Sequence, residues 1–233
     1  MLPLSDVNPT RRTPVITYLL LALNIGVFVL QLGMSERELL ITYITHAVVP
    51  SALVRDPFSL DSLLDMVRSM FFHGGWLHLL SNMLYLWIFG DNVEDRLGKL
   101  LYILLYFGSG FAAIWAQVII DPTSRVPLVG ASGAIAGVLG AYAHLFPRAS
   151  VRGLVFFGFF AQFMQLPALL VLGFWFISQL FSGVASLGVR TSAGGGVAFF
   201  AHIGGFVFGF ALAWLLSRLL PPPPPRRNII IWP

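Results

Sequence analysis

The chain has 233 residues, 57% of them hydrophobic and only 10% charged, with a mean hydropathy of +0.83. A water-soluble domain carries about a quarter charged residues, so this composition excludes a soluble globular protein and marks an integral membrane protein. The absence of cysteine removes disulfides, thiolate metal sites and cysteine nucleophiles, and the net charge of +4 comes from basic residues scattered near span ends, so nucleic acid is not an expected partner.

Residues 1–13 are polar and contain proline, and they read as a cytoplasmic N-terminal segment. The apolar run 14–32 approaches the roughly 20 residues that a helical span requires. It lacks a small-residue cleavage site at its end, so it is expected to be a retained first span rather than a signal peptide. Residues 33–72 form a long polar loop. Within it Leu63, Leu64, Met66, Val67, Met70 and Phe71 recur at helical spacing, opposite Asp61, Asp65, Arg68 and Ser69. That pattern predicts an amphipathic helix lying in the headgroup region.

Spans two and three are expected at 76–89 with its flanks and at 100–120. In the turn between them, Glu94 and Arg96 are expected to tie the two together. Span four, 132–146, is short and is closed by Pro147. Residues 151–165 are apolar but interrupted at Gly153 and Gly158. Span five follows at 166–181 with its flanks, and span six at 198–216. One membrane domain, 14–218, thus precedes a tail, 219–233, whose prolines at 221–225 predict an extended polyproline segment before Arg226 and Arg227. No internal repeat is evident, which disfavours a transporter.

Starting the N-terminus in the cytoplasm puts Arg11, Arg12, Arg96, Lys99, Arg148, Arg152, Arg218, Arg226 and Arg227 on the inner side. Arg37, Arg55, Arg68, Arg125 and Arg190 fall on the outer side, and nine against five supports cytoplasmic termini, as in a bacterial cell membrane. Spans two, four and six then all run inward. His78 and Asn82, Ser132, and His202 consequently fall at similar depth in the outer leaflet. Fifteen residues in span four rise only roughly 22 Å, against a hydrocarbon core of about 30 Å. Ser132 is therefore expected several ångströms below the outer surface. The loop before it, 121–131, must dip after it, which is tolerated only around a water-filled cavity or inside protein.

Polar residues inside hydrocarbon demand a reason. Serine is a poor nucleophile without a base within about 3 Å, and His202 is the only histidine of the last span. Ala201, Gly205 and Gly209 on span six, and Gly133, Ala136, Gly137 and Gly140 on span four, give both helices small faces that permit close approach. His78 and Asn82 share one helical face, and with the Ser132 backbone N–H they could bind an oxyanion. The residues together point to a Ser132–His202 dyad that hydrolyses peptide bonds within the bilayer. No Asp or Glu lies inside an apolar span, so an acid-oriented triad and an aspartyl protease are both disfavoured. No His-Glu-x-x-His run is present, so no metal or other cofactor is expected.

Each residue also has an ordinary explanation. Ser132 taken alone is as readily a packing serine, and His202, His78 and Asn82 could be groups that hydrogen-bond between helices or to backbone. His73 reads as a loop anchor, His46 and His144 as without a catalytic role, and Asn24 and Gln117 as interhelical glue. The common depth of the four polar residues favours the chemical reading.

With these residues in view, the chain resembles the rhomboid family of intramembrane serine proteases over residues 14–217. FFHGGWLHLLSNMLYLWIFGDNVEDRLG at 71–98 is similar to the family's second-span signature, with its His-x-x-x-Asn at His78 and Asn82. GASG at 130–133, with the motif glycines Gly130 and Gly133, looks like the nucleophile motif. AHIGGFVFG at 201–209 looks like the base-bearing span. The resemblance implies an all-α membrane protein, a bundle of six transmembrane helices with a large amphipathic first loop. It further implies Ser132 as nucleophile, His202 as general base, and His78, Asn82 and the Ser132 amide around the oxyanion.

Two departures bear on the site. Some members stack an aromatic residue, one turn after the serine, on the catalytic imidazole; here that position is Ala136, which leaves His202 to be oriented by another group. Some members carry a Trp-Arg pair in the first loop, and residues 33–72 contain no Trp. The implied substrates are single-span or other transmembrane proteins, entering from the lipid between spans two and five. Phe174, Trp175 and Phe176 are candidate gate residues, individually as readily lipid-facing or packing groups, and 184–197 is a candidate cap. The alternatives are a catalytically silent rhomboid-like protein that binds or chaperones membrane clients, and a small transporter or channel.

Overall fold

A computed structural model of the chain describes residues 1–158, 160–187 and 198–221. Helix α1 (Val15–Leu32) buries Thr17, Leu20, Leu21, Asn24, Phe28 and Gln31, a single face at three- and four-residue spacing, and turns its other apolar side chains outward. In the first loop Ser35 caps α2 (Glu36–His46): its side chain accepts from the Glu38 N–H while Glu38 Oε2 accepts from the Ser35 N–H. A short α3 (Pro50–Leu53) follows. The amphipathic helix expected in this loop is α4 (Leu60–Ser69), and Met66, Ser69 and the adjoining Met70 are its buried anchors.

Helix α5 (Trp76–Leu97) and helix α6 (Lys99–Ile120) are separated by Gly98 alone, at φ 78°, a left-handed conformation that glycine adopts without a Cβ penalty. Helix α7 (Ser132–Leu145) has 14 residues, and every one from Gly133 to Ala143 is buried. It is the axis of the bundle, enclosed by α5, α6, α8 (Ala168–Ser186) and α9 (Phe199–Leu219).

The small faces of α7 and α9 meet as expected. A methyl group placed on Gly205 would overlap the Gly133 carbonyl; one on Gly209 would overlap that of Gly137, and one on Gly140 that of Phe206. With no side chains between them, the two backbones touch directly.

Among the described residues four helices, α1, α6, α8 and α9, are long and apolar enough to cross a membrane. The other two expected spans pack among them: α7 is too short to cross alone, and α5 ends in Asp91, Glu94, Asp95 and Arg96. The protein is thus a mostly helical membrane bundle of the expected kind.

Three antiparallel strands, in the order β1-β2-β3, form a small sheet that the hydropathy pattern did not reveal: β1 (Leu2–Asp6), β2 (Ser150–Phe157) and β3 (Phe160–Pro167). Leu2 pairs with Leu154, and Ser150 with Pro167. The apolar stretch 151–165 is therefore a hairpin, with Gly158 at φ 60° in its turn. The N-terminal segment supplies its edge strand.

Two expected tethers are corrected. Glu94 does not join α5 to α6. Its carboxylate accepts from the Ile16 and Thr17 N–H groups and the Thr17 hydroxyl, at 2.8 to 2.9 Å, and so satisfies the free donors at the start of α1. Arg96 donates 3.2 Å to the Pro221 carbonyl beyond α9. Asn24 donates 2.7 Å to the Leu20 carbonyl of its own helix and also lies against the Tyr106 hydroxyl of α6. Buried Gln117 Oε1 has no hydrogen-bond partner among the described residues. Arg190, the candidate cap beyond Leu187, and the proline tail beyond Pro221 lie outside the described residues.

Candidate active site

Ser132 is the first residue of α7, where the backbone N–H groups have no partner within the helix and the helix dipole presents its positive end. The approach to it is held by backbone hydrogen bonds in the first loop. Leu128 N–H donates to the Val48 carbonyl, and Val48 N–H to Ser69 Oγ, each at 2.7 Å. Gly130 N–H donates 2.8 Å to the Ser69 carbonyl. Ser69, placed by the sequence pattern on the polar side of its helix, is instead the buried pin of the loop that carries Ser132. Gly130 takes φ 128° there, a region L side chains rarely enter.

The small-residue crossing of α7 and α9 brings His202 Nε2 to 2.8 Å from Ser132 Oγ. On the other side of the ring, His202 Nδ1 lies 2.8 Å from Gln179 Oε1 of α8. Trp175, one turn earlier on α8, faces the imidazole at 5.9 Å between ring centroids and 35° between planes. With Ala136 in place of an aromatic residue, the groups seen against the His202 ring come from α8. Of the three gate candidates, Trp175 faces the site, Phe176 stacks on Phe206 of α9 at 4.5 Å, and Phe174 points outward, 74% exposed.

His78 and Asn82 lie one turn apart on α5, on the side facing Gly130. His78 Nδ1 accepts a long bond, 3.4 Å, from the Gly74 N–H, which leaves Nε2 as its protonated nitrogen. A side-chain carbon on Gly130 would sit 2.7 Å from His78 Nε2 and 3.7 Å from Ser132 Oγ. The bare glycine thus lets the His78 ring come close on the side toward the Ser132 hydroxyl. Asn82 Nδ2 donates 3.0 Å to His73 Nε2, since His73 Nδ1 gives its proton to the Phe71 carbonyl at 3.2 Å. One amide proton of Asn82 remains for another acceptor.

His73 is the anchor expected of it. Its carbonyl accepts from Gln31 Nε2 and from the Tyr43 hydroxyl, each at 3.0 Å, and its N–H donates to Gln31 Oε1 at 3.1 Å. With Phe72 edge-on to Tyr43, this is how the first loop is fixed without a tryptophan. His144 bonds Ser217 at the far end of α7, away from Ser132. A cavity of ≈ 40 Å³ adjoins Ser132, lined in part by Ser69, Met70, Gly130, Ala198 and Ala201, large enough for water. A larger cavity, ≈ 510 Å³, lies at the opposite end among Val7, Asn8, Phe146 and Arg148, and none of the four polar groups lines it.

Gln179 and Trp175 carry the position of His202, and no motif marked Gln179. The available signal was a glutamine one turn after a tryptophan inside span five.

Comparison with known proteins agrees with this architecture. The chain is 31% identical over 163 residues to Rhomboid protein 1, mitochondrial, of Saccharomyces cerevisiae, a match covering 67% of this chain and 43% of that protein. It is 27% identical over 217 residues to Rhomboid-like protein 11, chloroplastic, of Arabidopsis thaliana, covering 91% of this chain and 68% of that one. Over 131 residues it is 31% identical to Rhomboid protease GluP of Bacillus subtilis, covering 55% of this chain and 24% of that protein. The chain therefore spans under half the length of the yeast relative and about two thirds of the plant one. The family model described as the rhomboid domain matches residues 61–219, from the amphipathic α4 through the end of α9, and the chain belongs to the rhomboid family.

Proposed function

We propose that this protein is a serine endopeptidase that cleaves transmembrane segments of other membrane proteins within the bilayer. The observation that carries the reading is the 2.8 Å contact between His202 Nε2 and Ser132 Oγ, made between two membrane helices at the start of α7. In the proposed mechanism Ser132 Oγ attacks the substrate carbonyl carbon while its proton passes to His202 Nε2. The carbonyl oxygen becomes an oxyanion that accepts from the Ser132 N–H, His78 Nε2–H and the second amide proton of Asn82. His202 then gives its proton to the leaving nitrogen as the C–N bond breaks, leaving an acyl-Ser132 ester. Water, deprotonated by His202, attacks the ester, and the proton returns to Oγ as the carboxylic product leaves.

Substrate reaches this site laterally, between α5 and α8. Helix α8 packs on α9 and α7 and makes at most marginal contact with α5, so that side is the least tied. The proposal includes the outer-leaflet depth and cytoplasmic termini favoured by the basic residues, and a bacterial cell membrane as the location. The named relatives come from a bacterium, a mitochondrion and a chloroplast, and cell fractionation tests the assignment.

The test uses purified protein in liposomes with a single-span substrate and a fluorophosphonate. Wild type is expected to cleave and to be labelled, whereas Ser132→Ala and His202→Ala lose cleavage by roughly a thousandfold or more. Full cleavage by Ser132→Ala overturns Ser132 as the nucleophile, and a wild type that neither cleaves nor labels overturns the reading in favour of a silent client-binding protein.

A further inference from the structure

The hydrogen bonds around His202 form a chain with a single consistent direction. Ser178 Oγ donates 2.6 Å to the Trp175 carbonyl, so its remaining capacity is as an acceptor. It accepts from Gln179 Nε2 at 3.2 Å, which fixes which end of the Gln179 amide is nitrogen. The oxygen end, Oε1, then lies 2.8 Å from His202 Nδ1 and can only accept, so Nδ1 carries the ring proton. A neutral imidazole has one N–H. With the proton on Nδ1, the Nε2 lone pair faces Ser132 Oγ at 2.8 Å. Trp175 adds a wall against one side of the same ring.

We propose that Gln179 is the positioning residue of the base, holding His202 in the one tautomer and orientation that accepts the Ser132 proton. The proposal rests on the protease reading above. An amide does this work where a carboxylate is costly: it orients the imidazole without placing a second ionisable group among apolar helices. Gln179 touches no reacting atom and acts only through His202.

Its place on α8 links substrate entry to reactivity. Only Ala168, Leu172 and Gly183 of that helix are fully buried, the fewest of the long helices. When α8 leans away to admit a substrate, His202 loses both its Nδ1 acceptor and its Trp175 wall. The base regains its alignment when α8 closes again.

Gln179→Leu keeps the bulk and removes the acceptor; Gln179→Glu keeps an acceptor and adds charge. In liposomes, Gln179→Leu is expected to lose about 100-fold in kcat with KM little changed, and its fluorophosphonate labelling to slow in parallel. Gln179→Glu is expected to retain most of the rate above neutral pH, with the acidic limb of its pH–rate profile moved upward. A carboxylate beside an imidazole favours the protonated base and delays its release of the proton. Wild-type kcat in Gln179→Leu overturns the proposal, and so does an unmoved acidic limb in Gln179→Glu, whichever variant folds. Histidine 15N spectra, assigned with His202→Ala, give a reading free of turnover: the His202 Nδ1–H signal of wild type should be lost in Gln179→Leu. If wild type fails to cleave but this tautomer still depends on Gln179, the protease reading falls and the positioning assignment stands. A tautomer indifferent to Gln179 overturns the assignment itself.

Discussion

Gly130 shows how little room the site allows a single residue. Its φ of 128° penalises any side chain, and a methyl group there would press on the His78 ring on the side toward Ser132. Gly130→Ala is expected to lower kcat by about 100-fold through displacement of His78, because misplacements of about 1 Å cost that much. Unaltered turnover in the liposome assay would remove His78 from the proposed oxyanion site. At the same scale, Ser132, His202, His78 and Asn82 stood out in the sequence because polar groups in apolar spans are conspicuous. Gln179 did not, since its meaning depends on which helix faces His202, a fact of three-dimensional crossing rather than of spacing along one chain. Ser69 was misassigned for a related reason. An amphipathic pattern sorts residues by polarity, and a hydroxyl that binds backbone is buried despite being polar.

Among the elements, the contact of α7 with α9 sets the distance between Ser132 Oγ and His202 Nε2. A methyl on Gly205 has only the Gly133 backbone to displace, so Gly205→Ala must shift a helix, at a cost of about 1–3 kcal/mol. That shift is expected to lower the unfolding temperature in detergent and to slow fluorophosphonate labelling together. Gly173→Ala on α8, where nothing lies within 4 Å, is the matched control and should change neither. Equal behaviour of the two variants would mean that the crossing does not govern the site. Apolar runs and small-residue faces made the helices and this crossing legible. Helix α2 was not expected: its capping box at Ser35 and Glu38 is a sequence signal that the loop's overall polarity obscured. The hairpin of β2 and β3 was not legible, because a continuous apolar stretch lacks the alternation that identifies a strand.

For the molecule as a whole, the sheet works as a strap at the end remote from Ser132. Asp6 of β1 accepts from the Tyr142 hydroxyl of α7 at 2.6 Å and from Asn92 Nδ2 of α5 at 2.9 Å, and β1 pairs with the hairpin that leads into α8. Burial raises the Asp6 pKa above its ordinary 3.8, only partly offset by the bond from Tyr142. A raised folded value means the docked strand favours the protonated acid. This contribution is fully present below 3.8 and is lost as pH rises through the raised value. Asp6→Asn keeps an acceptor for both partners and carries no charge. Protease protection of the N-terminal strand should then stay constant across that pH range in Asp6→Asn and fall with rising pH in wild type. Identical pH slopes would show that Asp6 does not govern the strap.

The complete burial of α7 between Gly133 and Ala143 separates the helix bearing Ser132 from any lipid acyl chain. Helix α8 has the opposite situation, with Phe174, Phe181 and Val184 facing outward and Gln179 facing in. A change in bilayer thickness that tilts α8 is therefore passed through Gln179 to His202 and read there as alignment or misalignment of an imidazole.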